Sequence, residues 1–289
     1  MGLNLRAGYV IGGCITLLVT LSVVFQPAIA AEEVSEDESA RLLSAFFGLD
    51  NRLPFRANML CLGASGKDGM PVIFSHTLDP DFVQAEDFEV VTRGGVKHTP
   101  HCVTLRPADD AGELRTVLLI GEFGNTDDDP PNAVHAVGDL FSDGEGQERV
   151  NFRGASVEVI PLSAGPSLIL AERIPVANLS SDTRGSTCPD GVAQVIRVTW
   201  TGGVRLPNRE DAGDKERNLY RVTVERKDGE LAEISPIALG DLGDGDNNHL
   251  LCLDTVDPAV SIDFPEGIFV DPNQDLNPAT QVVVSQGVR

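Results

Sequence analysis

Residues 68–121 read DGMPVIFSHTLDPDFVQAEDFEVVTRGGVKHTPHCVTLRPADDAGELRTVLLIG. Short β-branched or aromatic runs recur in this stretch, at 72–74, 88–92, 102–105 and 116–120, and clusters of Gly, Pro and Asp separate them. Turn signals fall at Asp79-Pro80, at Gly94-Gly95 and between Pro107 and Gly112. Short strands at this spacing build sandwiches and barrels, whereas parallel sheets need helical segments between their strands. The stretch therefore predicts an all-β fold of antiparallel β-sandwich type.

Part of the same stretch, VIFSHTLDPDFVQAEDFEVVTRGG, resembles the opening of bacterial Ig-like domains found in S-layer and other surface proteins. The positions that carry the likeness are Phe74, Ser75, Leu78, Asp79, Pro80, Asp87, Phe88, Val90 and Gly95. The resemblance implies an Ig-like sandwich acting as an extracellular spacer or adhesion module. Such modules have no active site, so it implies no catalytic residues.

The chain beyond Arg173 echoes its first part. Arg52-Leu53-Pro54-Phe55 is matched by Arg173-Ile174-Pro175-Val176, Cys61 by Cys188, Val72-Ile73 by Val195-Ile196, Phe88-Glu89-Val90 by Tyr220-Arg221-Val222, and Leu118-Leu119 by Leu250-Leu251. The order is kept throughout, which is the signature of a tandem repeat of one structural unit. The expected organisation is a first sandwich over 49–165 and a second over 166–289. The end of each unit is marked by Ala155-Ser156-Val157 and Ala259-Val260-Ser261, only 104 residues apart, so the first is expected to carry a surface insertion at 125–149, NTDDDPPNAVHAVGDLFSDGEGQER, with Val134–Leu140 as a strand within it.

Ahead of the first sandwich, residues 31–48 read as an acidic lead-in and one short helix. Ser35 and Glu38 have capping-box spacing, Leu42, Leu43, Phe46 and Phe47 recur at a helical period, and Gly48 suits the position after a helix end. Residues 1–30 read as a secretory signal peptide, with Arg6, an apolar run over 9–25, and Ala28-Ile29-Ala30 as the cleavage pattern. The apolar run is shorter than the roughly 20 residues of a bilayer span, so no membrane insertion is expected after cleavage. The protein is expected to be secreted, periplasmic or at the cell surface.

The 44 acidic residues against 22 basic ones give a net charge of −22, which repels nucleic acid and anionic membranes. Such a surface favours a divalent cation or a basic partner. Cys61, Cys102, Cys188 and Cys252 remain after the leader, and an even count in an exported chain points to two disulfides. Three pairings can be drawn. If the chain is two modules, Cys61 with Cys102 and Cys188 with Cys252 keep each bridge inside one of them.

Two stretches offer oxygen ligands for calcium. Asp241, Asp244, Asp246 and Asn248 lie in a glycine-rich loop just ahead of the apolar run 250–253, where a cation would relieve the repulsion of neighbouring carboxylates. Asp271, Asn273, Asp275 and Asn277 alternate at the 1, 3, 5, 7 spacing of a calcium loop. Leu276 and Val282 stand where an EF-hand takes Gly and Glu, so an EF-hand is excluded, and a turn closed by Asx side chains explains the same residues without metal.

Catalytic patterns are absent. Leu62-Gly63-Ala64-Ser65-Gly66 misses the G-x-S-x-G spacing, and His98 and His101 flank Pro100 without a zinc-site pattern. Trp200 closes an apolar run from Gln194 and fits a core position between sheets better than a platform for sugar or peptide. The chain thus reads as a non-catalytic extracellular binding or structural module, steadied by calcium, with an unidentified protein or glycan partner. The alternatives are a secreted hydrolase, with carboxylates or His76, His98 and His101 gathered only by the fold, and a carbohydrate-binding module using Trp200.

Overall fold

The computed structural model of the chain describes residues 1–2, 39–110, 112–144, 148–179 and 186–285, and the expected signal peptide from residue 3 onward and the lead-in as far as residue 38 lie outside them. The fold is all-β. One sheet contains β1 (Leu42–Phe46), β2 (Asp68–Phe74), β3 (Phe88–Thr92), β4 (Lys97–His98), β5 (Cys102–Thr104), β6 (Thr116–Gly121), β7 (Pro131–Ala136) and β8 (Ser156–Ile160). The other contains β9 (Leu168–Ile174), β10 (Gln194–Trp200), β11 (Arg221–Glu225), β12 (Leu231–Ile234), β13 (Ala238–Gly240), β14 (Asn248–Leu253), β15 (Ala259–Phe264) and β16 (Thr280–Ser285).

The first sheet runs β4-β3-β7-β8-β1-β2-β6-β5 and the second β12-β11-β15-β16-β9-β10-β14-β13, which is the same order with every label raised by eight. In each sheet one pair is parallel, β1 with β8 and β9 with β16, and the pairs on either side of it are antiparallel. Each sheet curls over its own core. Met70, Val72 and Phe74 of β2 meet Phe88 and Val90 of β3, Val117 and Leu119 of β6 and Val134 of β7 in the first half. Ile196, Val198 and Trp200 of β10 meet Val222 and Val224 of β11, Leu251 and Leu253 of β14 and Ile262 and Phe264 of β15 in the second.

Two local expectations are corrected. Residues 42–47 form no helix: Leu42–Phe46 is β1, hydrogen-bonded on one side to β2 and on the other to β8. The strand is buried along most of its length, so its apolar residues fill both faces and mimic a helical period. Pro131–Ala136, inside the expected surface insertion, is β7, paired on both edges with β3 and β8. Pro131 opens that strand, a position that costs no ladder hydrogen bond within it.

The disulfides join Cys61 to Cys102 and Cys188 to Cys252. Cys61 and Cys188 both lie in the connection after the first strand of their half, but Cys102 is on β5 whereas Cys252 is on β14. With sequence separations of 41 and 64 between the partners, the chain-entropy model assigns each bridge about 4 kcal/mol.

The second core holds a buried polar chain. Trp200 Nε1 donates to the Tyr220 hydroxyl at 3.2 Å, and that hydroxyl lies 2.8 Å from His249 Nδ1. Burial pushes the His249 pKa down to about 4, so the ring is neutral and its Nδ1 accepts from Tyr220. Replacing Tyr220 with Phe leaves both neighbours without their partner and is expected to cost about 1–3 kcal/mol in chemical denaturation. A loss below about 0.5 kcal/mol would mean that the two groups find other partners.

Several strands are buried on both faces because the halves pack against each other. Along β10, Ile196, Val198 and Trp200 point into the core, while Val195, Arg197 and Thr199 are buried on the opposite face. Across the contact, Arg115 and Glu172 pair at 2.9 Å with side chains 6% and 8% exposed. Asn247 Nδ2 donates to Thr116 Oγ1 at 3.2 Å and to Trp200 O at 2.7 Å. Gly202 packs so closely on the Phe46 ring that a Cβ there would sit 2.8 Å from Cδ1.

Candidate metal centre

Two connections meet at this contact. One is the β5–β6 connection, carrying Asp110 and Glu113; the other is the β13–β14 connection, carrying Asp241, Asp244 and Asp246. In strand order they are corresponding connections of the two halves. One oxygen from each of Asp110, Asp241 and Asp244 lies within 4.8 Å of the others, and the same holds for Glu113, Asp241 and Asp246. Oxygens on opposite sides of a calcium ion with bonds of 2.3–2.6 Å are about 5 Å apart, so the spacing matches a shared ion. All donors are carboxylate oxygens, the ligand type of calcium and magnesium.

The loop is shaped to bring its carboxylates together. Asp241, Gly243 and Gly245 take left-handed conformations, with φ of 62°, 95° and 81°. Glycine adopts this freely and aspartate tolerates it better than most residues. Asn248 accepts from Thr199 Oγ1 at 2.8 Å and donates through N and Nδ2 to the Asp246 carboxylate at 2.8 and 3.0 Å. Asn248 therefore holds Asp246 in position, and its Oδ1 keeps one lone pair beyond the bond from Thr199.

The electrostatics favour a counter-charge or bound protons. Asp110, Glu113, Glu172, Asp241 and Asp246 are buried and Asp244 is partly buried; among the described residues Arg115 pairs with Glu172 and Arg197 with Glu113. Arg197 Nη2 lies 3.5 Å from Glu113 Oε1 and its Nη1 donates to Gly112 O. Asp241, 2% exposed, receives no N–H or O–H donor on either oxygen when ionised, and neither does Glu113 Oε2; the two carboxyls lie close enough to hydrogen-bond each other through a shared proton. Burial is the main cause that raises the pKa of Glu113, Asp241 and Asp246; Arg197 pulls Glu113 back down, and the neighbouring aspartates push it further up.

The second expected calcium loop closes on itself. Asp271 Oδ1 accepts from Asp275 N at 2.8 Å, Asn273 Nδ2 donates to Asp275 Oδ2 at 2.7 Å, and Asn277 Oδ1 accepts from Ile268 N and Phe269 N at 2.9 and 2.8 Å. These are the side-chain bonds of an Asx-stabilised turn. Asp271 Oδ2 is buried without a donor, and burial raises its pKa to about 6. Among the described residues, no third carboxylate, His or Cys joins Asp271 and Asp275.

The histidines are engaged separately. His76 Nδ1 lies 2.9 Å from Ser75 Oγ, His101 Nε2 lies 2.9 Å from Leu62 O, and His249 is in the second core. Trp200 is fully buried, so a sugar platform there has no exposed face. Asp110 and Glu113 were missed by sequence reasoning. They lie more than a hundred residues from Asp241, and only the fold joins them.

A cleft opens beside the cluster, with a volume of about 890 Å³. Asp244 and Asp246 reach its lining, while Asp110, Glu113 and Asp241 do not. Among the described residues no helix is long and apolar enough to cross a membrane. No protein-family model matches the chain, and no curated protein resembles it at a significant level.

Proposed function

We propose that this protein is an exported, non-catalytic binding or structural module made of two Ig-like β-sandwiches, with a calcium ion held between them by Asp110, Glu113, Asp241, Asp244 and Asp246. The strand order supports the sandwich reading. In each half, β1-β2-β6-β5 and β8-β7-β3-β4, or their counterparts eight labels later, match the A-B-E-D and G-F-C-C′ sequence of immunoglobulin-type sheets. The shared order also supports duplication of one ancestral unit. Two disulfides and the excess of acidic residues favour an oxidising, extracellular setting.

The observation that carries the cation is Asp241: a buried carboxylate that no N–H or O–H group reaches when ionised, facing further carboxylates from both halves. A non-catalytic role is favoured because Glu113 and Asp241 are sealed from the cleft, where no substrate atom reaches them.

The test is calcium titration of the chelated protein by calorimetry and thermal melting. At calcium a hundredfold above Kd the expected gain is about 2.7 kcal/mol, or a melting temperature higher by roughly 5–10 °C. Asp241→Asn is expected to fold, because the amide can donate to Glu113, and to lose the calcium response. No shift at millimolar calcium, or an undiminished shift in Asp241→Asn, would remove the cation from this reading.

A further inference from the structure

The chain is strongly acidic, yet the cleft between the halves gathers arginines. Arg52 and Arg56 come from the connection after β1, Arg106 from the one after β5, and Arg205 and Arg209 from the one after β10. These are five of the 22 basic residues of the protein in a single concavity. Arg106 pairs with Asp109 at 3.0 Å, and Arg52 Nη1 donates to Asn273 Oδ1 at 3.2 Å. Arg56, Arg205 and Arg209 have no carboxylate partner among the described residues, and the Arg205 Nε is buried without an acceptor. Carboxylates are the groups that guanidiniums pair with in a forked geometry.

The rest of the lining narrows the ligand. Met59 and Leu60 are exposed at 83% and 39%, and they stand on a turn that the Cys61–Cys102 bridge ties to β5. That tether fixes one wall in advance and lowers the ordering cost of binding. The aromatic residue of the lining is Phe46, which is fully buried, so no ring is available for a sugar to stack on. Asp211, Asp244 and Asp246 also line the cleft and would repel a uniform polyanion such as nucleic acid.

We propose that this cleft binds an extended peptide segment of a partner protein that carries both acidic and apolar side chains, its carboxylates on Arg56, Arg205 and Arg209 and its apolar groups against Met59 and Leu60. Charge complementarity sets the register, and the apolar wall supplies buried area. The inference goes beyond the cation reading and does not depend on it.

The experiment probes an array of immobilised ten-residue peptides of varied composition with labelled full-length protein, once with calcium and once with chelator. It compares wild type with the Arg56→Gln/Arg209→Gln double variant, whose two positions are exposed, and with Arg221→Gln on the exposed face of β11 as a control. The expected result is that bound peptides are enriched in Asp or Glu together with Leu, Ile, Phe or Met. The double variant should lose at least fivefold in signal and the control should not. Absence of bound peptides, no acidic enrichment, or equal signal from the double variant overturns the proposal. Equal or stronger binding of a uronic-acid oligosaccharide spotted on the same array overturns it in favour of an acidic glycan. Binding is expected both with calcium and with chelator, because the cleft does not need the ion; the cation reading is tested separately by the calorimetric titration.

Discussion

Arg115→Ala is expected to destabilise the protein by about 3–5 kcal/mol, lowering the melting temperature by roughly 6–20 °C, because it strands the buried Glu172 carboxylate between the two halves. Arg115 also donates to Ser75 O at 3.2 Å, so its loss empties a second acceptor. The double replacement Arg115→Met/Glu172→Met removes both charges at similar volume and is expected to recover most of that loss. Lys97→Ala gives the scale for a pair in water: its ammonium, 67% exposed and 2.9 Å from Glu89, should be worth about 0–1 kcal/mol. The measurement is urea denaturation of all three variants. A loss below about 1 kcal/mol for Arg115→Ala would show that the halves do not rely on this pair.

The second large effect is on pH. In the folded chain Asp241 and Asp246 are pushed up from 3.8 to about 6 and about 7, and Glu113 rises above both. Folded-state values above the unfolded ones mean that the native state holds more protons between pH 4 and the raised values. The stability these groups contribute is therefore complete below about pH 4 and is lost as pH rises through 6 and 7. With chelator present, the melting temperature should fall from pH 5 to pH 8. At about 1.4 kcal/mol per unit and group, the loss is on the order of several kcal/mol.

Calcium should reverse this slope, because a cation takes the place of the protons. A proton shared by Glu113 and Asp241 is the other way to hold these carboxylates. It produces the same fall in chelator but no rescue by calcium. A flat or rising melting temperature between pH 5 and 8 in chelator would contradict both accounts, and Asp241→Asn/Asp246→Asn should flatten the profile by removing two of the titrating groups.

Much of the fold is legible locally. Residues 88–92 read as a strand because Phe88, Val90 and Thr92 alternate inward with Glu89 and Val91, and β3 has those bounds. Residues 116–120 and 194–199 are dense in β-branched residues and leucines, and they lie within β6 and β10. Leu42–Phe46 misleads because a strand buried on both faces loses the alternation that would identify it.

The site is legible in half. Asp241, Asp244 and Asp246 share one loop and stand out in the sequence; Asp110 and Glu113 look like any acidic turn residues until the halves are packed. Asn248 has the residue type of a ligand, and in the fold it also braces Asp246 through its N and Nδ2 donors.

The parallel pairing of the first and last strands has a mechanical side. Ala45 and Phe46 lie beside Val159 and Ile160, and Ala171 and Glu172 beside Val284 and Ser285, running in the same direction. The chain enters each half at the start of one member of the pair and leaves at the end of the other. Tension applied through the chain therefore slides the two strands lengthwise past each other. Their hydrogen bonds share the load at once, where a hairpin pulled open from its ends would surrender them one after another.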